Sequence, residues 1–172
     1  MIGNMQLSNT LKQYLIVKQT VVPALLNLVL NGLISWLVLG NVASITLWGK
    51  PSIALDLLLT AFLIPFITCF INSYTIAKSV RSGKVEQLDA PLRYFTPWYL
   101  TPIYARSFLL GFIALVCVGV PTVLLLETLW VEPISLWQFV IFKALWAATL
   151  AAVVTPIIGL WAIANASHNT NT

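Results

Sequence analysis

The hydropathy pattern of the chain consists of four long apolar runs separated by short polar or charged segments. The runs cover about residues 21–40, 53–77, 107–127 and 136–164. Roughly 20 helical residues cross a hydrocarbon core about 30 Å thick, so each run is long enough to span a membrane. Backbone groups in lipid must be hydrogen-bonded within their own segment. The pattern therefore predicts an all-α integral membrane protein, a bundle of four transmembrane helices.

The segment before the first run has amphipathic spacing. Leucines recur every four residues there and two lysines lie off that line: Leu7, Leu11, Leu15, Lys12 and Lys18. This predicts a short N-terminal amphipathic helix over residues 7–18 that lies on the membrane surface and is capped by Ser8 or Asn9. The first run is about 20 residues long and contains two asparagines, so we expect a retained span rather than a cleaved signal peptide.

Basic residues are concentrated on one side of the predicted membrane. Seven precede the first span or lie between the second and third: Lys12, Lys18, Lys78, Arg81, Lys84, Arg93 and Arg106. Only Lys50 lies in a loop on the opposite side. By the positive-inside rule, both termini are cytoplasmic, and we expect a bacterial plasma (inner) membrane. The net charge of +4 then indicates contact of the basic inner loop, 78–106, with anionic lipid headgroups rather than with nucleic acid.

Composition leaves no room for a separate soluble domain. The 172 residues are 59% hydrophobic and 8% charged, against about 25% charged residues in a typical soluble domain. We therefore expect one membrane domain, 1–172. Residues 165–172 are polar and are predicted to form a disordered tail.

The second half of the inner loop combines three prolines and four aromatic side chains between residues 91 and 102. The prolines exclude a long regular helix there, and aromatic side chains are typical of the lipid headgroup layer. Two interpretations are open. The segment is an aromatic belt with a basic anchor, or it is a docking surface for a partner protein or a lipid.

Polar side chains within the spans identify the candidate pathway for a ligand or ion. Facing lipid is costly for such groups, so they are expected to face one another or a wet cavity. They are Asn27, Asn31 and Ser35 in the first span, Asp56, Thr60, Thr68 and Asn72 in the second, and Lys143 in the fourth. Their spacing of about four residues predicts a polar line on the inner face of the bundle.

Asp56 and Lys143 have matched depths in their spans. They lie about four and about seven residues from the outer ends, which corresponds to ~5 and ~10 Å, and a lysine stem can extend outward. We therefore predict a pair in the outer half of the membrane, direct or through Asn31 or a water. It either fixes helix order or serves function, and Glu127 or Glu132 is an alternative partner for Lys143.

No pattern in the sequence predicts catalysis, a metal site or a cofactor. Cys69 and Cys117 have no neighbouring Cys or His in sequence, and His168, in the tail, is the only histidine. The spans contain a single Asp, which excludes a paired-Asp membrane protease, and no phosphate-binding loop or hydrolase motif is present.

Three functions are compatible with these features. The first is a permease- or channel-like protein that moves an ion, a proton or a small polar solute along the line centred on Asp56. Four helices leave little room for a pore, so this hypothesis favours a homo-oligomer. The alternative is a non-transporting assembly or accessory protein that docks a membrane partner through the inner Pro/aromatic loop. The third, a membrane enzyme acting on lipid, has the least support.

Overall fold

The regular secondary structure in the described part of the chain is helical. In a computed structural model, that part comprises residues 8–40, 45–86, 101–129 and 134–170. Its regular elements are all helices, and isolated bridges join Ile45 to Ile134 and Thr46 to Ser52 in the connecting segments. Within these ranges, four helical stretches are long and apolar enough to cross a membrane. The predicted all-helical class with four candidate spans is thus confirmed.

The first long helix contains a π turn. Helix α1 (Asn9–Ile16), a π turn (Val17–Val21) and α2 (Val22–Leu39) follow one another without interruption. Ser8 is the N-cap, and its Oγ accepts a hydrogen bond from the Leu11 amide at 3.1 Å. The predicted amphipathic segment is therefore continuous with the first span, while its position on a membrane surface stays a prediction.

Helix α3 (Ile53–Arg81) is the second candidate span. It begins after the Lys50–Pro51 cis peptide bond, and the Ser52 hydroxyl caps it by accepting the Leu55 amide at 3.3 Å. It ends at a turn in which Gly83 has a φ of 70°, a conformation that favours glycine. The helix is longer than the predicted run, so the inner loop is shorter than predicted.

The third and fourth candidate spans also extend beyond the predicted runs. The third consists of α4 (Ile103–Ala114), a second π turn (Leu115–Gly119) and α5 (Val120–Leu129). The fourth is α6 (Leu136–Thr170). The Pro/aromatic segment begins at residue 91, and residues 87–100 lie outside the described part. Its two interpretations therefore stay predictions.

The C-terminal segment corrects one prediction. Instead of a disordered tail from residue 165, α6 continues to Thr170, and the side chains of Ala166 and Ser167 are buried. Ala166 packs in a cluster with Leu11 and Ile76. Short side chains allow this close packing, so the polar composition of the segment does not prevent it from being helical. Residues 171–172 lie outside the described part.

Helices α3 and α6 form the centre of the packing. They pack on each other, α2 packs mainly on α6, and α4 packs mainly on α3. Small residues allow these approaches. A Cβ on Gly32 of α2 would lie 3.4 Å from the Ala144 Cβ of α6, and Gly119 lies directly against Ala61 of α3.

Three buried clusters follow one another along the helices. We call the end that carries Lys78 and Arg81 the basic end, and the opposite end, which carries Asp56 and Lys143, the far end. The cluster at the basic end includes Leu11, Ile76, Val80 and Ile163. The apolar layer in the middle comprises Ala61, Ile64, Ala147, Leu150 and Ala151. The cluster at the far end includes Ile45, Ile53, Leu57 and Phe139.

Candidate functional site

An ion pair joins α3 and α6 at the far end. The Lys143 Nζ donates a hydrogen bond to the Asp56 Oδ1 at 2.7 Å and lies 2.6 Å from the Asp56 Oδ2. The predicted pair is therefore confirmed, and it is direct. Glu127 is exposed on α5, and Glu132 lies outside the described residues.

Local structure positions both charges. Asp56 lies in the first turn of α3, just after the Ser52 cap, where the positive end of the helix dipole favours a carboxylate. Lys143 lies about two turns after the start of α6, one turn beyond the fully buried Phe139. The capped start of α3 and the buried side of α6 thus bring the two groups to the same level.

The two members of the pair differ in exposure. The Lys143 side chain is 3% exposed, and the Asp56 side chain is 37% exposed. A buried ammonium is costly unless it is paired and hydrogen-bonded. Lys143 therefore depends on Asp56 for its charge compensation, whereas the Asp56 side chain stays partly accessible.

Asp56 lines a pocket between α2, α3 and α6. The pocket has a volume of about 110 Å³, enough for several water molecules or one small solute. Its wall is mostly apolar, and its polar lining residues are Ser35, Ser52, Asp56 and Lys143. We call it the Asp56 pocket. A few polar groups in an otherwise apolar concavity are typical of a small-molecule site.

One polar atom of the pocket residues has unused hydrogen-bonding capacity. The Ser35 Oγ is buried without a hydrogen-bond partner, whereas both carboxylate oxygens of Asp56 contact the Lys143 ammonium. Unpaired buried polar groups are uncommon because each costs about 1–3 kcal/mol. The Ser35 hydroxyl is therefore suited to bind a small polar solute beside the ion pair.

The other predicted residues of the first span bond within their own helix. Asn31 Nδ2 donates to the Asn27 carbonyl at 3.1 Å and to its Oδ1 at 3.3 Å. Asn27 in turn donates to the Pro23 carbonyl at 3.0 Å. These amides therefore satisfy their donors locally and do not line the Asp56 pocket.

In α3, only Asp56 among the predicted residues lines that pocket. The Thr60 hydroxyl donates to the Asp56 carbonyl at 2.7 Å, and Thr68 is half-buried further along the helix. Asn72 belongs to a different site near the basic end. It donates to the Gln19 Oε1 at 2.8 Å, and Gln19 donates to the Tyr14 hydroxyl at 3.2 Å.

The sequence did not indicate Gln19. It lies between the predicted surface helix and the predicted first span, and its side chain is nevertheless buried. The π turn contains it, and Gly159 of α6 leaves the space into which its side chain fits. Gln19 stands between Lys18 and Thr20, so its polar neighbours gave no signal of burial, and periodicity alone does not predict a π turn.

The apolar layer separates the Gln19 site from the Asp56 pocket. Asp56 and Asn72 are 16 residues apart on α3, or ~24 Å along the helix, and buried aliphatic side chains occupy the interior between them. The predicted polar line is thus two separate sites within one chain.

The basic residues predicted to contact lipid lie in different surroundings. Lys78 and Arg81 line a groove at the basic end, while Lys84 is exposed beyond it. Arg106 has a buried Nε and lines a small cavity with Cys69. Arg93 lies outside the described part. Lipid contact by these residues stays a prediction.

The described residues contain no group of three or more His, Cys, Asp or Glu side chains placed to hold a metal ion. Cys69 is buried and Cys117 is exposed on the third helical stretch.

No protein-family model matches this chain, and no curated protein or solved structure matches it either.

Proposed function

We propose that this protein is a small permease-like membrane protein that takes up an ion or a small polar solute at the Asp56 pocket. The observation that carries the proposal is the partly exposed Asp56 side chain, which is paired to a buried lysine and lines the same pocket as the unpaired Ser35 hydroxyl. Ionisable groups within membrane spans are functional candidates by default, because they are costly to keep there.

The chemistry of the pocket favours a hydrogen-bond donor. Asp56 offers acceptor oxygens, Ser35 can donate or accept, and Lys143 already compensates the carboxylate charge. A bound cation or amine would compete with Lys143 for Asp56, whereas a neutral donor would add to the existing pair. The volume of about 110 Å³ restricts the solute to a small one.

Passage to the other side requires a change of packing. The apolar layer closes the interior between the Asp56 pocket and the Gln19 site. In this proposal one route opens when α2 moves against α6, which the contact between the small residues Gly32 and Ala144 permits. In the other, a second copy of the chain completes the route. Both termini are proposed to be cytoplasmic in a bacterial plasma membrane, so that the Asp56 pocket opens to the outside.

The test is a flux assay in proteoliposomes. Purified protein is reconstituted, and uptake of protons, monovalent cations, methylammonium and urea is measured for the wild type, Asp56→Asn and Ser35→Ala. We expect a solute whose flux falls by about tenfold or more in Asp56→Asn, as for the loss of a charge-assisted hydrogen bond, and by a smaller factor in Ser35→Ala.

Glu127→Gln is the matched control, because it also removes one carboxylate but lies on the exposed side of α5. Its flux should equal that of the wild type. Equal fluxes for the wild type, Asp56→Asn and protein-free vesicles, across all four solutes, would contradict the proposal.

A second candidate is a non-transporting assembly protein. The observation that favours it is the exposure of the first span: only 6% of its most apolar window is buried within the chain. The closed apolar layer is equally compatible with this function. Co-purification of a stoichiometric membrane partner, lost when exposed α2 residues such as Leu26 and Leu33 are changed to Ala, would support it over transport.

A further inference from the structure

We propose that the groove at the basic end is a binding site for the headgroup of an anionic phospholipid. The groove has a volume of about 550 Å³ and lies between the last turns of α3 and the start of α4. Its lining residues include Ser73, Tyr74, Lys78, Arg81, Ser82 and Ile103. This inference is independent of the function proposed for the Asp56 pocket and of the orientation in the membrane.

Charge in the groove is of one sign. Lys78 and Arg81 are three residues apart on α3 and share a face of the helix, and no acidic residue is among those that line the groove in the described part. Arginine presents a planar set of donors that matches phosphate, and lysine adds a compact charge. The Ser73 and Ser82 hydroxyls supply further polar groups at the wall.

The wall of the groove continues into an apolar surface toward the middle of the helices. Phe70 lies one turn before Tyr74, and its ring centroid is 5.7 Å from that of Tyr104 on α4. Phe108 lies one turn after Tyr104 on α4, and its side chain is exposed. Phosphate-binding side chains at a helix end beside an exposed aromatic surface fit a lipid with its headgroup in the groove and its acyl chains along α3 and α4. This favours a lipid over free phosphate, which would not use the aromatic surface.

The proposal distinguishes these two residues from the other basic residues at the same end. Lys84 is exposed three positions after Arg81 but does not line the groove, and Lys12 is exposed on α1. A general attraction to an anionic surface would use all of them about equally. A site would use Lys78 and Arg81 alone.

The test compares two double variants of the full-length protein with the same net charge. Lys78→Gln/Arg81→Gln alters the groove, and Lys12→Gln/Lys84→Gln is the control. Each protein is titrated in detergent with phosphatidylglycerol and with phosphatidylcholine, and bound lipid is counted by native mass spectrometry. We expect the wild type and the control to bind phosphatidylglycerol about tenfold more tightly than phosphatidylcholine, and the groove variant to lose this preference.

Equal loss of preference in both double variants would overturn the proposal, because surface charge alone would then account for binding. A wild type that binds both lipids equally would also overturn it. If the groove variant does not fold, Arg81→Lys is measured, since it keeps the charge and loses the planar donors. Weaker phosphatidylglycerol binding by Arg81→Lys supports the site, and unchanged binding contradicts it.

Discussion

Separation of the ion pair would cost more free energy at Lys143 than at Asp56. The lysine side chain is almost fully buried, while more than a third of the aspartate side chain is exposed. A charge that loses its partner keeps its desolvation penalty, and the penalty is largest for the more buried group. The two single neutralisations are therefore not equivalent, although they remove the same contact.

We expect Asp56→Asn to destabilise the protein more than Lys143→Met does. Removing the carboxylate leaves a buried ammonium without a partner. The expected loss in free energy of unfolding approaches the value of about 3–5 kcal/mol that is typical when a buried pair is broken. Removing the ammonium leaves a carboxylate that the pocket can solvate, so the cost is smaller. The double variant Asp56→Asn/Lys143→Met should be more stable than Asp56→Asn alone. Thermal unfolding in detergent measures all three.

The exchange of the two charges is the control for this cycle. Asp56→Lys with Lys143→Asp keeps the pair and should recover part of the stability lost by the single changes. Additive effects of the two neutralisations would mean that the pair contributes no coupling energy.

At this scale, the sequence predicted the pair because depth can be counted along two helices and because lipid restricts where a charge can be. The unpaired Ser35 was on the predicted polar face, yet its lack of a partner depends on the rotation of α2 against α6. Asn27 and Asn31 have the same four-residue spacing but bond to their own helix. Spacing predicts a shared face and does not distinguish local from interhelical bonds.

Helices pack closely in this molecule where glycine removes a side chain. Gly111 of α4 lies against Phe62 of α3: a Cβ there would be 2.9 Å from the Phe62 carbonyl oxygen. At Gly119, a Cβ would be 2.9 Å from the Ala61 Cβ. At Gly32, the nearest atom would be 3.4 Å away, an ordinary contact distance.

We therefore expect Gly111→Ala and Gly119→Ala to destabilise the packing of the third helical stretch on α3. Overpacking of a close contact typically costs about 1–3 kcal/mol. Gly32→Ala makes the same chemical change at the α2–α6 contact and should be neutral or slightly stabilising, because alanine also favours helix. Melting temperatures of the three variants in one detergent check this. If Gly32→Ala lowered the melting temperature as much as the other two variants do, helix rigidity would decide the effect, and not the space available for the added methyl group.

Element boundaries were predictable where caps define them and less so elsewhere. The Ser52 cap of α3 and the Ser8 cap of α1 follow from side-chain chemistry that is local in sequence. The two π turns change the periodicity by one residue and leave no local signal. Tertiary packing extends α6 beyond residue 164, where composition alone favours an irregular tail.

For the whole molecule, the apolar layer divides the interior into two halves with different chemistry. An ion pair lies in one half, and the amides of Gln19 and Asn72 lie in the other. The orientation of these halves in the membrane stays a prediction, which uses the distribution of basic residues along the whole chain.

Reporter fusions test that orientation. Fusions after Lys84 and after Thr172 should report a cytoplasmic location, and a fusion after Trp48 should report an external one, because seven basic residues flank one side and only Lys50 the other. A cytoplasmic signal at Trp48 would reverse the orientation and place the Asp56 pocket on the cytoplasmic side.

The first π turn lets the first long helix contain one extra residue without turning α1 away from its buried contacts. A π turn accommodates one residue more than an α-helical turn does. Deleting a residue within Val17–Val21 would therefore convert the π turn into a regular α-helical turn and change the rotation of α1 relative to α2 only slightly, so Leu11 would stay in its buried cluster. The turn that contains Gln19, and with it the fit of the Gln19 side chain against Gly159, would be lost.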